Sequence, residues 1–274
     1  MNLVHEAINK INEGKVKKPN FIWLECTGCQ GDIISFLNVD QPDFQYFLKQ
    51  MVNLKYTNTL MQSEGERAYE EFLNTLNTDF ILGVEGSLTK KDSGFYTVMA
   101  SYKGKNISAA EGVALAAEKT EKVIAIGTCA TFAGISAARP NPTGCISLSE
   151  FLGRKVINVP GCPVNPLWLI GTIASLILYN NVEVDDKGRP LMFFKETNHD
   201  NCQRRSYFDK KVFAKKLGDP ECMFKLGCRG PITKAYCPIG KWNCRINWPV
   251  EDNTPCIGCA NEYFPDGTEP FIRY

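Results

Sequence analysis

Twelve cysteines among 274 residues constrain this chain more than any other feature of its sequence. So many thiols exceed what packing requires, and they indicate either disulfide bonds or metal ligands. The first 20 residues contain neither an apolar export segment nor a twin-arginine motif. Because disulfides are rare in the reducing cytoplasm, we expect a cytoplasmic protein whose clustered cysteines bind metal.

The composition excludes several classes of protein. An apolar fraction of 44% supports a folded core, and a net charge of +1 gives no basis for non-specific binding of nucleic acid. The longest strongly apolar stretch, residues 167–179, is too short to span a bilayer and suits a buried helix. We therefore expect no nucleic-acid partner and no transmembrane segment.

Short apolar runs alternate with helical segments in the first two thirds of the chain. Near-continuous apolar runs of this length are typical of strands buried on both faces of a parallel sheet, and they lie at residues 21–24, 80–84, 123–126 and 156–159. Helices are predicted over residues 64–75, after a capping box at Ser108, and over residues 166–179. This alternation predicts a doubly wound α/β domain.

The cysteines of this first part follow the predicted strands. Cys26, Cys129 and Cys162 each come directly after an apolar run, and Cys29 completes a Cys-x2-Cys pair with Cys26. The carboxyl ends of parallel strands meet at one edge of a sheet, where ligands bind, so we expect these residues to converge there. Four thiolates can hold one tetrahedral metal ion or one cubane cluster.

The pattern changes at residues 183–190, a polar, turn-rich stretch that predicts a boundary between domains 1–182 and 183–274. Beyond it, prolines are frequent and only residues 207–217 resemble a helix. Such a segment would bury too little apolar surface without cross-links, which metal clusters can supply. It contains a four-ligand set and a three-ligand set: His199, Cys202, Cys222 and Cys228, and then Cys237, Cys256 and Cys259.

Zinc is one alternative, since the Cys-x2-Cys pairs at 26/29 and 256/259 are generic zinc half-sites. The other ligands, however, are not paired at zinc-finger spacings. A single bimetallic centre joining the two pairs would leave eight cysteines unexplained. Three ligand sets in one chain favour a relay of iron–sulfur clusters, which accept cysteine and sometimes histidine. A zinc- or disulfide-stapled interaction protein is the alternative.

A series of motifs resembles the small, electron-transferring subunit of nickel–iron hydrogenases. In chain order they are WLECTGC, VEGS, IGTCAT, PNPTG, PGCPVNP, HDNC, LGCRGP, NWPV and PCIGC, and they extend from about residue 21 to residue 264. The resemblance implies a flavodoxin-like first domain and a second domain with little regular structure. A respiratory-complex relative of the first domain fits less well, because it has adjacent cysteines at its cluster and lacks the second domain.

The resemblance implies a cofactor for each ligand set. A proximal 4Fe–4S cluster would be held by Cys26, Cys29, Cys129 and Cys162, a distal 4Fe–4S cluster by His199, Cys202, Cys222 and Cys228, and a medial 3Fe–4S cluster by Cys237, Cys256 and Cys259. Gly28 and Gly134 stand where oxygen-tolerant members carry extra cysteines, which implies an oxygen-sensitive enzyme. Pro249 stands where members with a medial 4Fe–4S cluster carry a cysteine. Cys244 is a candidate extra medial ligand, and Cys145 is expected to be a packed residue.

The resemblance also implies a function and partners. The chain would relay electrons between a nickel–iron centre with cyanide and carbonyl ligands, held by a large subunit, and a ferredoxin, cytochrome or other acceptor. An H2-sensing subunit is the alternative. Glu25 and Glu85 are candidates for proton transfer or for contact with the large subunit, or are structural carboxylates. Residues 195–216 hold seven Lys or Arg against three acids, a patch that could steer an acidic partner or be a solvated face.

Overall fold

The computed structural model describes residues 2–267. Its strands are β1 (Asn20–Glu25), β2 (Asn53–Thr57), β3 (Phe80–Glu85), β4 (Leu88–Thr89), β5 (Val98–Tyr102), β6 (Lys105–Ser108), β7 (Val123–Ile126), β8 (Cys145–Ile146) and β9 (Ile157–Val159). Its helices are α1 (Asn2–Asn12), α2 (Gly31–Leu37), α3 (Phe44–Tyr46), α4 (Gly65–Thr75), α5 (Ala109–Ala117), α6 (Gly127–Phe132), α7 (Leu148–Leu152), α8 (Pro166–Tyr179), α9 (Leu191–Phe194), α10 (Arg205–Asp209) and α11 (Cys237–Gly240). A π-helical turn and several 3-10 turns complete the chain.

Five strands form one parallel sheet in the order β2-β1-β3-β7-β9. This is the flavodoxin-like order of a doubly wound α/β fold, as predicted. The four predicted apolar runs are β1, β3, β7 and β9. The edge strand β2 was not predicted, because its sequence NLKYT has no continuous apolar run and only its last two residues are buried.

The two faces of the sheet bury different sets of helices. Phe21 and Trp23 of β1 pack into a core shared with α1, α2 and α8, whereas Ile22 and Leu24 pack with α4 and α5 on the opposite face. Successive side chains of a strand point to opposite faces, so helices are needed on both sides. This arrangement confirms the α/β prediction and explains why β1 is almost wholly buried.

Three predicted helices are confirmed with close bounds. The Ser108 hydroxyl accepts a hydrogen bond from the Glu111 N–H at 3.1 Å, which caps α5 as its sequence predicted. Helix α8 is Pro166–Tyr179, and Asn165 caps it through the N–H of Leu167 at 3.0 Å. No helix in the part of the chain that the structure describes is both long and apolar enough to cross a membrane.

The helix predicted over residues 207–217 is wrong beyond Asp209. Helix α10 stops there because Lys211 adopts a positive φ of 58° and the N–H of Val212 bonds back to the carbonyl of Tyr207 at 2.8 Å. This pattern is a common helix ending. Phe213, in the segment that follows, forms an isolated parallel β-bridge with Cys222. This tertiary pairing overrides the local preference for a helix.

The region after α8 packs on the first part rather than apart from it. Phe194, Met223, Trp248 and Val250 belong to the same buried cluster as Trp168 of α8. The predicted boundary segment is itself ordered: Arg189 bonds Asp185 at 2.7 Å, and the N–H of Asn158 in β9 donates to the Gly188 carbonyl at 2.8 Å. The two parts share one core. The last residues of the predicted second domain, 268–274, lie outside the described residues.

Candidate iron–sulfur sites

The carboxyl edge of the sheet holds a cavity lined by three cysteines of the predicted proximal set. Cys29, Cys129 and Cys162 face it. Cys26 adjoins it at the end of β1, where its N–H donates to the carbonyl of Glu85, a lining residue, at 2.7 Å. Burial, followed by neighbouring thiolates, raises the pKa of Cys162 to about 12. Thiols buried this way remain protonated unless a metal binds them.

Glycines let the backbone and a carboxylate approach this cavity closely. Gly127 has a φ of +77°, and a Cβ there would lie 2.0 Å from the Asp32 carboxylate. Gly86 has a φ of +87°, and a Cβ there would lie 2.8 Å from the Thr27 carbonyl oxygen. Both positions therefore require glycine for conformation and for space.

Two buried carboxylates line the proximal cavity, and only one of them was predicted. Glu85 accepts hydrogen bonds from the Trp23 indole at 2.9 Å and from the Asp32 N–H at 3.0 Å, and burial raises its pKa to about 7. Burial, with the charge of Glu85, also raises the pKa of Asp32. Asp32 was not predicted as a residue of this site. An acid in the first turn of a helix usually indicates only a favourable interaction with the helix dipole.

Glu25 is held differently and does not line the cavity. Its carboxylate accepts from the Thr57 hydroxyl at 2.9 Å, the Thr59 N–H at 3.1 Å and the Gln30 amide at 3.0 Å. These bonds tie the end of β1 to the end of β2 and to the start of α2. These hydrogen bonds favour the interpretation of Glu25 as a structural carboxylate.

The predicted distal set converges completely. His199, Cys202, Cys222 and Cys228 all line one cavity in the second part of the chain. Burial raises the pKa of Cys202 to about 11, and the thiolates of Cys228 and Cys222 add to this. The Nε2 atom of His199 is buried without a hydrogen-bond partner among residues 2–267. A buried imidazole nitrogen facing three thiols suits a metal ligand.

The environment of His199 keeps its ring neutral and close to the surface. Burial, together with the charge of Arg205, lowers the pKa of His199. Its ring contacts Phe208 edge-on with centroids 4.4 Å apart, and Phe208 contacts Phe224 at 5.4 Å. Phe224 lines the cavity and is 46% exposed, so the cavity lies close to the protein surface.

The predicted medial set lies in the shared core. Cys237 and Cys256 are buried there. Burial raises the pKa of Cys237 to about 12, and the charge of Cys256 adds to this effect. Burial also raises the pKa of Cys259 to about 12, with smaller contributions from the charges of Cys237 and Cys256. These mutual effects place the three thiols close together.

Neighbouring sets also interact, which gives their order in space. The carbonyl oxygen of Cys259 accepts the hydroxyl of Thr128, the neighbour of Cys129, and the carbonyl oxygen of Cys256 accepts the N–H of Arg229, the neighbour of Cys228, at 2.7 Å. Cys129 belongs to the proximal set and Cys228 to the distal set. The three-cysteine set therefore lies between the two four-ligand sets.

The two remaining cysteines are placed apart from these sets. Cys145 is buried in β8, with its sulfur 3.2 Å from the Thr143 hydroxyl. Cys244 is exposed in a loop with φ 57°, and its sulfur is 3.9 Å from the carbonyl oxygen of Asn38. It lines a surface groove that also contains Ile34 and Pro163.

All twelve cysteines are unpaired thiols. Among residues 2–267, no three His, Cys, Asp or Glu side chains converge closely enough to hold a single metal ion. A cluster needs a wider spacing than one zinc ion, because each of its ligands binds a different iron. The buried thiols, the unpartnered His199 nitrogen and the two cavities fit iron–sulfur clusters.

A parallel α/β sheet with cysteines at its carboxyl edge, followed by an irregular cysteine-rich region, is the architecture of an iron–sulfur oxidoreductase component. Comparison with known proteins identifies the family. The model described as the C-terminal part of the NiFe/NiFeSe hydrogenase small subunit matches residues 194–272, and that described as NADH ubiquinone oxidoreductase, 20 kDa subunit, matches residues 26–176.

Relatives match over nearly the whole chain. The periplasmic NiFeSe hydrogenase small subunit of Desulfomicrobium baculatum is 36% identical over 96% of this chain and 90% of its own length. Periplasmic NiFe hydrogenase small subunit 1 of Nitratidesulfovibrio vulgaris is 38% identical over 94% and 83%. A solved D. baculatum NiFeSe hydrogenase structure superposes with a TM-score of 0.88 at 36% identity, covering 93% of this chain and 98% of that one. The chain belongs to the nickel–iron hydrogenase small-subunit family, which confirms the resemblance.

Proposed function

We propose that this chain carries electrons between the nickel–iron site of a large partner subunit and an external redox protein, during H2 oxidation or proton reduction. The observation that carries the proposal is the row of three ligand sets, in which hydrogen bonds from Thr128 to Cys259 and from Arg229 to Cys256 place the medial set beside both others. Bound clusters would supply one-electron carriers along this row. The nickel–iron centre would belong to the large subunit, so no catalytic residue is assigned here.

In this proposal, Cys26, Cys29, Cys129 and Cys162 hold the proximal 4Fe–4S cluster at the sheet edge. Cys237, Cys256 and Cys259 hold the medial 3Fe–4S cluster, and His199, Cys202, Cys222 and Cys228 hold the distal 4Fe–4S cluster. The proximal cluster is carried by residues 1–182 and the other two by residues 183–274. The shared core holds the two parts together, which keeps the three ligand sets at constant separations.

Two measurements on the purified complex of both subunits test this proposal. Metal analysis should find about 12 iron per complex, about 11 in the three clusters and one at the partner's nickel–iron site, with about 12 acid-labile sulfide. Zinc without acid-labile sulfide would instead support the alternative of an interaction protein whose fold is held together by zinc ions. Cys162→Ser should abolish H2-dependent dye reduction while H2/D2 exchange, which needs only the partner's site, persists; Cys145→Ala serves as the thiol control. Dye reduction that survives Cys162→Ser would contradict a relay through this chain.

The surface outside the distal cavity supports an acidic redox partner. Two of the seven cations in residues 195–216 are structural: Arg204 is buried and donates to the Asp219 and Glu221 carbonyls, and Arg205 pairs with Asp209. The remaining five are exposed lysines, at positions 195, 210, 211, 215 and 216. In the sequence, the last four of these lysines lie beside the exposed apolar residues Val212 and Leu217. Charge of one sign steers a partner of opposite charge, and exposed apolar residues can hold it once it has docked.

The docking proposal is tested with the double variant Lys210→Glu and Lys211→Glu. The rate of electron transfer to an acidic ferredoxin should fall about tenfold or more at low salt, because steering is lost. Reduction of a small neutral dye should be unchanged. Lys17→Glu with Lys119→Glu, two exposed lysines outside this surface, is the matched control. Equal effects of both pairs would reject the surface. Cell fractionation tests the predicted cytoplasmic location.

A further inference from the structure

A buried asparagine lies between the predicted medial and distal ligand sets. Asn198 is 1% exposed and directly precedes His199. Its N–H donates to the Thr233 carbonyl at 2.8 Å, while the N–H of His199 donates to the Gly230 carbonyl at 3.2 Å. The backbone on both sides of Asn198 is therefore anchored, and the position of its side chain is set.

The side-chain amide of Asn198 is directed at sulfur. Its Nδ2 donates to the Cys256 sulfur at 3.6 Å. Its Oδ1 has no hydrogen-bond partner within residues 2–267. The side chain also acts to lower the pKa of the Cys237 thiol, against the larger effect of burial.

Packing alone does not explain an amide at this position. A buried amide that leaves its oxygen unpaired costs stability, and an apolar side chain of similar size would avoid that cost. The Cys256 sulfur that the amide faces belongs to the buried core cluster. The amide is accounted for if its donor acts on that sulfur.

We propose that Asn198 sets the reduction potential of the medial cluster by donating a hydrogen bond to the sulfur of Cys256. This inference rests on the proposed function, in which Cys256 is a cluster ligand. Reduction adds one electron and therefore negative charge to the sulfurs. A hydrogen-bond donor stabilises that charge and raises the potential. The amide keeps both of its protons, so no proton transfer accompanies the electron.

Trp242 and Thr233 are two other polar side chains that affect the medial thiols. The Trp242 indole N–H has no hydrogen-bond partner among residues 2–267, and the Thr233 hydroxyl donates to the Arg229 carbonyl at 2.7 Å. Asn198 differs from both because its amide N–H donates to a medial sulfur. It also stands one residue from the distal ligand His199. We therefore assign the larger influence on the medial potential to Asn198.

Redox titration of the complex of both subunits, followed by EPR of the oxidised medial cluster, tests the inference. Asn198→Leu removes the donors at similar size and should lower the medial potential. Asn198→Asp replaces them with negative charge and should lower it further. Asn158→Leu is the matched control, since Asn158 is also buried with one unpaired oxygen but donates to the Lys187 carbonyl instead of sulfur. It should leave the medial potential unchanged.

A medial potential that is unchanged in Asn198→Leu and Asn198→Asp would overturn the inference, as would an equal shift in Asn158→Leu. A measurement on the wild-type complex covers the case in which the Asn198 variants fail to assemble. Pulsed EPR of protein labelled with 15N-asparagine should show nitrogen coupling to the oxidised medial cluster, and absence of that coupling overturns the inference. Absence of iron and sulfide from the wild type would instead reject the proposed function itself.

Discussion

The hydroxyl of Thr128 donates a hydrogen bond to the backbone carbonyl oxygen of Cys259, 131 residues further along the chain. The same hydroxyl accepts the N–H of Gly161 at 2.9 Å. Thr128 precedes Cys129, and Gly161 precedes Cys162. The Thr128 hydroxyl thus connects three segments. Two follow strands β7 and β9 and carry proximal cysteines, and the third is the loop that carries the medial residue Cys259.

Thr128→Val tests this junction. Valine keeps the shape but leaves the Gly161 N–H and the Cys259 carbonyl without their partner. We expect a loss of about 1–3 kcal/mol of stability, because each buried polar group left unpaired is costly. The unfolding midpoint of the purified complex and its iron content should both decrease.

Thr172→Val is the control for Thr128→Val. Thr172 is also fully buried, but its hydroxyl bonds only the Trp168 carbonyl one turn earlier in α8, at 2.7 Å. That carbonyl already accepts a backbone hydrogen bond within the helix, so Thr172→Val should lower the stability less than Thr128→Val does. If Thr172→Val lowered the midpoint as much as Thr128→Val, the junction would have no special role.

Asp185→Asn should destabilise the turn that joins the two parts. The buried Arg189 guanidinium bonds Asp185 Oδ2 through Nε at 2.9 Å and through Nη2 at 2.7 Å. Removing one charge of a buried pair leaves the other uncompensated, at a cost of about 3–5 kcal/mol. Urea unfolding of wild type and variant measures the difference.

The pH dependence of that difference follows from the pKa of Asp185. Burial alone would raise the pKa, but the hydrogen bonds and charge of Arg189 outweigh it and lower the pKa below the ordinary 3.8. A lowered folded-state pKa stabilises the protein above the unfolded-state pKa, and that contribution disappears as pH falls through the folded-state value. The difference in unfolding free energy between wild type and Asp185→Asn should stay constant from pH 8 to pH 5. A difference that shrinks within that range would contradict a lowered pKa of Asp185.

His199→Cys should lower the potential of the distal cluster. Burial and Arg205 lower the pKa of His199, so the ring is a neutral ligand at pH 7. A thiolate in its place adds one negative charge, and we expect a decrease on the order of 100 mV. An EPR redox titration measures it. A potential that rises or stays constant would show that His199 is not a ligand.

Cys244→Ser should leave the medial cluster intact. The Cys244 sulfur is exposed and lies near the Asn38 carbonyl oxygen, whereas Cys237 and Cys256 are buried. The oxidised 3Fe–4S EPR signal should therefore be present in both wild type and variant, with stability changed by less than about 0.5 kcal/mol. Cys256→Ser should abolish the signal. A signal that is absent from wild type and emerges only in Cys244→Ser would identify Cys244 as a fourth ligand.

Much of the fold could be predicted because local pattern and tertiary environment agree there. The apolar runs of β1 and β3 are buried along almost their whole length, and α8 is apolar on nearly all sides. The secondary-structure prediction failed where the tertiary environment determines the local structure. Strand β2 lies at an edge and needs no apolar run, and the helix expected beyond Asp209 yields to the bridge between Phe213 and Cys222.

The sequence by itself determined the inventory of candidate ligands, since cysteine and histidine are recognisable without coordinates and the ends of predicted strands place three of the cysteines. Only the tertiary structure decided how the sets are ordered, which cations are free to meet a partner, and which residues lie against the ligands. Asp32 and Asn198 are ordinary polar residues in the sequence. Both are buried beside thiols contributed by distant segments, a property that no local pattern encodes.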